Sequence, residues 1–100
     1  MTPSFEWDGD KAASNLAKHG VSFDEAATVF ANPLAAIFSD PDHSEEELRE
    51  IIVGHSDQNR LLIVSFTERG AAIRIISGRL ATRRERKDYE ENPMGGRGHE

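Results

Sequence analysis

Two apolar segments on either side of Gly70 dominate the sequence. Residues 60–69 contain the run LLIVSFT, and residues 71–79 contain AIRIIS. Both segments are rich in β-branched and aromatic residues, which favour strands, and a glycine between two such segments is typical of a tight hairpin. The first run is apolar at nearly every position, so it predicts a central strand with both faces covered.

A helix is predicted before this hairpin, between Asp8 and Gly20. Asp8 is suited to the N-cap position, the helix would run to about His19, and Gly20 supplies the left-handed residue that often follows a helix. The apolar face of this helix is thin, because it comprises little more than Ala12 and Leu16. Packing on a sheet, rather than helix propensity, must therefore hold it in place.

A second helix is predicted from the spacing of Ser22 and Glu25, which is that of a capping box. The Asn32-Pro33 pair ends this helix. Apolar residues at 34–39 and 48–55 predict two further strands. Thr82 and Glu85 form a second capping box, which opens a last helix at roughly 83–91.

The order of these elements predicts an α+β fold with one twisted, mainly antiparallel sheet, two N-terminal helices and one C-terminal helix. Residues 1–92 are expected to form a single domain, and residues 93–100 a disordered tail. The chain has no cysteine, so it can form neither disulfides nor a thiolate zinc site. Its start is not that of a signal peptide, and no apolar run could span a membrane. We therefore expect a cytoplasmic protein.

The charge of the chain is unevenly distributed. The formal net charge is -6, yet residues 69–87 contain seven basic residues and one acid, whereas residues 1–68 contain four basic residues and 13 acids. A basic segment on an acidic protein is what a local anion-binding surface would give. A solvated charged surface would give the same pattern, so charge alone leaves both interpretations open.

Two separated motifs resemble a known family. FEWDGDKAASNLAKHGVSFDEAATVF resembles the N-terminal signature of BrnT-like toxins, and RIISGRLATRRERKDYE resembles their C-terminal signature. Between them, DPDHSEEELR and IIVGHS fit the middle of the pattern. The chain departs from the family at Gly78 and Leu80, where many relatives carry an alanine and a basic residue.

The resemblance implies a RelE-like fold and a metal-independent ribonuclease that blocks translation as the toxin of a type II toxin–antitoxin pair. It also implies a BrnA-like ribbon-helix-helix antitoxin, with which the toxin forms a heterotetramer. Operator DNA would be bound through the antitoxin. Neither a cofactor nor a metal is expected, and the four histidines lack metal-ligand spacing. The alternative is a non-catalytic co-repressor module with the same fold.

Arg79 is the first candidate for catalysis, because metal-free RNA cleavage needs charge on the phosphorane to be stabilised. Strand alternation predicts that Arg79 shares a face with Ile73, Ile75 and Ser77, while Arg74 lies on the other face. An ion pair at the rim of the sheet is the structural alternative for Arg79.

Other candidates are less specific. Lys18 and His19 could contact phosphate or move a proton, although a histidine before a helix-ending glycine often only complements the helix C-terminus. Trp7 could stack on a base, although a tryptophan at the end of a strand is more often core. The remaining candidates for phosphate binding are Lys11, Arg74, Arg83 and Arg84.

Overall fold

A computed structural model describes residues 4–39 and 49–91 of the chain, which form one five-stranded sheet and three helices. The strands are β1 (Ser4–Glu6), β2 (Ala36–Ser39), β3 (Arg49–His55), β4 (Leu61–Arg69) and β5 (Ala72–Leu80). The helices are α1 (Gly9–His19), α2 (Phe23–Thr28) and α3 (Arg83–Glu91), and a 3₁₀ turn, Val29–Ala31, follows α2. The predicted tail at 93–100 lies outside the described residues.

The strands lie in the order β1-β5-β4-β3-β2. β1 is parallel to β5, and the other three pairings are antiparallel. The predicted α+β class and single sheet are therefore confirmed for the described ranges, and the sheet is mixed because of β1. β4 occupies the centre, and its residues Leu61, Leu62 and Val64 are fully buried, as the apolar run predicts. Gly70 turns the chain between β4 and β5 with a φ of +58°.

Both ends of α1 are satisfied by the residues that flank it. The Asp8 carboxylate accepts hydrogen bonds from the backbone N–H groups of Asp10 (2.8 Å) and Lys11 (3.1 Å). At the other end, Gly20 has a φ of +71°, and its N–H donates to the carbonyl of Leu16. The side chain of Leu16 is 51% exposed, so the predicted apolar face at this position is wrong.

Asn15 holds α1 against the sheet instead. Its side chain is buried, and its amide donates to the carbonyls of Val21 (2.9 Å) and Gly78 (2.8 Å). The N–H of Gly78 donates back to Asn15 Oδ1 at 3.2 Å. Because β1 pairs with β5 only at residues 72–74, no strand of the described ranges lies beside the edge of β5 near Gly78. Asn15 therefore satisfies the backbone groups that a strand would otherwise satisfy.

The core lies between the sheet and the two N-terminal helices, on what we call the covered face. Trp7 packs edge-on against Phe23, with ring centroids 5.8 Å apart. The buried residues of this cluster are Val21, Phe23, Ala26, Val29, Ile52, Leu62, Val64, Phe66 and Ile75.

The side chain of Glu25 does not complete the capping box that its spacing from Ser22 predicts. Ser22 Oγ accepts a hydrogen bond from the Glu25 N–H (3.0 Å), so half of the predicted capping box is present. The carboxylate turns inward, where it accepts hydrogen bonds from Arg60 Nε (2.9 Å) and Ser56 Oγ (2.7 Å). The bond from Arg60 is the main cause of a lowered pKa at Glu25. An ion pair between the buried Glu25 carboxylate and the partly exposed Arg60 therefore ties α2 to the turn between β3 and β4.

Helix α3 crosses the opposite side of the sheet, which we call the open face. Its capping box is complete, because Thr82 N–H donates to Glu85 Oε1 (2.9 Å) and Glu85 N–H donates to Thr82 Oγ1 (3.1 Å). Near its far end, the Tyr89 hydroxyl donates to the carbonyl of Leu34 at 2.8 Å. The helix thus runs from the end of β5 towards the start of β2, and no other helix in the described part of the chain covers this face.

Candidate functional site

A β-bulge in β5 decides which face Arg79 occupies. Ser65 pairs with Ser77 and Phe66 pairs with Ile75, so Ile76 is an extra residue in β5. Beyond the bulge, Gly78 faces the helices, since a Cβ there would lie 3.4 Å from Ala26 and Val21. Arg79 therefore points to the open face. The predicted face, shared with Ile75, is wrong because strict alternation fails at the bulge.

The bulge brings Arg74 and Arg79 to the same face. Ile73 and Ile75 pack in the core, so Arg74 between them points away from it. Its partners across the sheet are Thr67 in β4 and Glu6 in β1, and Glu6 accepts from Arg74 Nη1 at 3.3 Å. Sequence reasoning missed the next residue in this row, Arg49, because the register between β3 and β4 cannot be read from composition.

A trough of about 500 Å³ lies between α3 and the open face. Its floor is apolar and comes from β2, β3 and β4, while Arg79 and α3 supply its polar groups. The ring of Tyr89 meets that of His55 edge-on, with centroids 5.9 Å apart. The lining residues are Ala36, Phe38, Ile51, Val53, Ile63, Arg79, Glu85, Asp88 and Tyr89.

Arg79 is held in this trough by Glu85. Nη1 and Nη2 of Arg79 donate to the two carboxylate oxygens at 2.8 and 3.0 Å, and Nη1 also donates to the carbonyl of Leu80 at 3.3 Å. The ion pair that sequence analysis left open as an alternative is therefore present. Both side chains keep more than a third of their surface exposed, so the pair remains accessible to a ligand.

The same pair fixes the ionisation of Glu85. Hydrogen bonds from Arg79, assisted by those from Thr82, lower the pKa of Glu85 to about 2. The carboxylate in turn raises the pKa of Arg79. A carboxylate with so low a pKa is a weak base at neutral pH, so Glu85 is poorly suited to deprotonate a 2′-hydroxyl.

Comparison with known proteins assigns the chain to a family. Residues 7–85 match the family model described as the ribonuclease toxin BrnT of type II toxin–antitoxin systems. The chain belongs to the BrnT family. The crystal structure of the Brucella abortus ribonuclease toxin BrnT matches 82% of the chain and 100% of its own length, with 26% sequence identity and a TM-score of 0.64. No curated protein sequence gives a significant match.

The BrnT match contains all of the predicted site residues but ends in the first turn of α3. Arg79 and Glu85 fall inside it, whereas Asp88 and Tyr89 fall outside. At the two positions that depart from the family pattern, Gly78 is buried and Leu80 is 44% exposed. By alternation from Gly78, Leu80 points away from the open face. The absence of a basic side chain there does not reduce the charge around Arg79.

The candidates on α1 line a different cleft. Lys11, Lys18 and His19 surround a space of about 210 Å³ between α1 and the bulge in β5. Lys11 and Lys18 are exposed, and His19 is half-buried. The structure does not bring these side chains into one cavity with Arg79.

The remaining candidates do not line the trough. Trp7 is half-buried against Phe23, an arrangement that favours its core interpretation. Arg83 and Arg84 are exposed at the start of α3, and neither forms an ion pair with another described residue. Helical periodicity turns Arg83 away from the trough, whereas Arg84 flanks Asp88 at its rim.

Two further properties concern residues 4–39 and 49–91 alone. Within these ranges, no three histidine, aspartate or glutamate side chains are grouped closely enough to hold a metal ion. No helix in this part of the chain combines the length and apolar character needed to cross a membrane.

Proposed function

We propose that this BrnT-family chain is an endoribonuclease toxin that cleaves RNA without a metal ion and binds the scissile phosphate through Arg79. The observation that carries the proposal is the position of Arg79 on the open face, in the same trough as Tyr89. Arginine suits this role because its planar guanidinium matches phosphate oxygens and stays charged at any physiological pH.

A second arginine on the open face, Arg74, supports the proposal that the ligand is an RNA long enough to contact both arginines. Arg74 and Arg79 lie about 15 Å apart along β5, from the rise per residue of a strand. Arg49 lies beyond Arg74 in the same row, which widens the positive surface across the sheet. We assign the scissile phosphate to Arg79 and a flanking phosphate to Arg74, since most protein contacts that position a nucleic acid are to phosphate.

The cleft beside α1 contributes further proposed contacts. Lys18 and His19 are assigned to proton transfer or phosphate binding, and Lys11 to phosphate binding. These groups lie at the edge of β5 that Asn15 covers, and β5 is also the strand that carries Arg79. RNA bound along the open face could reach them around this edge. Arg83, Arg84 and Trp7 are assigned weaker contacts with the same ligand.

Family membership also supports the proposed cellular role. We infer a RelE-like fold, inhibition of translation in the cytoplasm, and neutralisation by a BrnA-like ribbon-helix-helix antitoxin in a heterotetramer. The complex would bind operator DNA through the antitoxin. Type II toxin–antitoxin pairing, which the family description names, is the basis for expecting an antitoxin partner.

Cleavage of end-labelled RNA by the purified chain, with a chelator present throughout, tests the proposal. We expect products with 2′,3′-cyclic phosphate ends, and a loss of roughly 10²- to 10³-fold in rate for Arg79→Ala, as for removal of one oxyanion-stabilising donor. Lys87→Ala is the matched control, because Lys87 is exposed on the outer side of α3. Cleavage that occurs only when the chelator is omitted would refute metal independence.

The co-repressor module is the second candidate function, and one observation favours it. Two of the five donor positions of Arg79 already bind Glu85, so the residue has a structural partner without RNA. This alternative predicts tight antitoxin binding by a chain that cleaves neither free RNA nor mRNA on translating ribosomes. Equal cleavage by the parent chain and Arg79→Ala would contradict the role assigned to Arg79 in the first proposal.

A further inference from the structure

The hydrogen bonds of Arg79 leave one edge of its guanidinium group open. The group has five N–H donors. Within the described part of the chain, Nη1 uses both of its donors, on Glu85 and on the carbonyl of Leu80, and Nη2 uses one on Glu85. Nε–H and the second Nη2–H remain. These two donors lie side by side along the same edge of the guanidinium plane.

That open edge is itself a bidentate site. An arginine can grip a two-oxygen acceptor end-on, through Nη1 and Nη2, or side-on, through Nε and Nη2. Glu85 occupies the end-on pair. The side-on pair has the parallel geometry that matches two oxygens of one phosphate.

Glu85 can hold this orientation because its own position is fixed. Its carboxylate also accepts from the Thr82 N–H at 2.9 Å, and its backbone N–H donates to Thr82 Oγ1 at 3.1 Å. These bonds belong to the capping box that starts α3. The guanidinium is therefore tied to the end of a helix rather than to a freely rotating side chain.

We propose that Glu85 is a positioning residue, which holds the end-on donors of Arg79 so that the side-on donors, Nε and Nη2, face an RNA phosphate. This inference rests on the proposed function, since it concerns how Arg79 meets its substrate. It predicts that Glu85 affects the rate of the chemical step more than substrate binding, because without Glu85 the charge of Arg79 remains but its orientation does not.

Steady-state cleavage kinetics of the full chain test this inference in three variants. For Glu85→Gln, whose amide offers one acceptor oxygen instead of two, we expect kcat to fall roughly 10- to 100-fold, as for a small misplacement of a catalytic group. KM should change less than about threefold. Glu85→Asp keeps the carboxylate and should recover part of the lost kcat. Glu90→Gln, which removes an exposed carboxylate further along α3 and leaves the Arg79–Glu85 pair, should keep the parent kcat.

Nitrogen NMR of the Arg79 side chain gives a readout that is independent of cleavage. A bidentate pair hinders rotation of the guanidinium group, so Nη1 and Nη2 should give separate signals in the parent chain and in Glu90→Gln. They should average in Glu85→Gln. A short mixed-sequence RNA with 2′-O-methyl groups, which cannot be cleaved, should shift the Nε signal of the parent chain.

The outcomes separate this inference from the proposed function. If the parent chain cleaves RNA and Glu85→Gln cleaves it equally fast, the positioning role is overturned and the ribonuclease proposal stands. If the parent chain shows no cleavage, yet binding of the 2′-O-methyl RNA shifts the Nε signal, the presented phosphate site is supported and the cleavage proposal fails. If neither cleavage nor a shift is observed, both fail.

Discussion

The two faces of the sheet differ in how they satisfy their polar side chains. On the covered face, Asn15 and Glu25 are buried and bound to fixed partners on other elements. On the open face, Arg74 and Arg79 are partly exposed and pair with carboxylates that are also partly exposed. Buried polar groups without partners would destabilise the fold, whereas half-exposed ones can exchange a partner or water for a ligand. The covered face is therefore expected to determine stability, and the open face function.

The largest expected effect is a difference in stability loss between variants of two arginines, one from each face. Arg60→Ala would leave the buried carboxylate of Glu25 without its main partner, so we expect the free energy of unfolding to fall by about 3 kcal/mol. Arg74→Ala should lower it by no more than about 1 kcal/mol, because both partners of that pair are partly exposed and neither is left buried when the other is removed. Urea denaturation of the two variants measures both values. Equal losses would break the distinction between the faces.

Removal of the Asn15 amide tests the covered face at a second site. Asn15→Ala leaves the N–H and carbonyl of Gly78 without their partner and detaches α1 from β5. We expect a loss of about 2 kcal/mol, the cost of burying unsatisfied backbone groups. Ser14→Ala is the matched control, since Ser14 is exposed on the same helix. A loss of stability no larger than that of the control would mean that water replaces the Asn15 amide without cost.

These two sites also indicate what could be predicted from the sequence. Short-range signals gave the outline of the fold, because a cap such as Asp8 or a turn such as Gly70 depends on residues close in the chain. The partner of Glu25 could not be predicted, since Arg60 is 35 residues away and competes with the local capping box. Asn15 lies within the helix predicted between Asp8 and Gly20, but nothing in the sequence there indicates that it would be buried.

Sequence analysis selects residues of the candidate site, but it does not predict which of them share a face of the sheet. Arg74 and Arg79 were both selected from the basic segment, yet the alternation of β5 placed them on opposite faces. The bulge at Ile76 reversed this, and it has no signature in a run of apolar residues. Arg49 was missed because it reaches the site only through pairing between distant strands.

Two glycines test how tightly the covered face is packed, with a smaller expected effect. A Cβ at Gly54 would lie 2.7 Å from Ala35 Cβ and 3.2 Å from its Cα, so Gly54→Ala forces the backbone to move. We expect a loss of about 1–3 kcal/mol in the free energy of unfolding. Gly78→Ala meets only contacts of 3.4 Å or more, so its effect should stay below about 1 kcal/mol. Thermal unfolding ranks the two, and a reversed order would contradict the packing described here.

The smallest expected effect concerns the pH dependence of the Arg79–Glu85 pair on the open face. The folded pKa of Glu85, about 2, lies below its ordinary value of 4.5. A lowered pKa stabilises the folded state above the ordinary value, and this contribution is lost as the pH falls towards 2. The difference in unfolding free energy between the parent chain and Glu85→Gln should therefore be constant above about pH 5 and shrink below it. The pH dependence due to Glu25 is common to both proteins and cancels in this difference. A difference that stays constant down to pH 3 would show that the carboxylate is not held by Arg79 in solution, and the open face would then lack the fixed guanidinium on which its proposed chemistry depends.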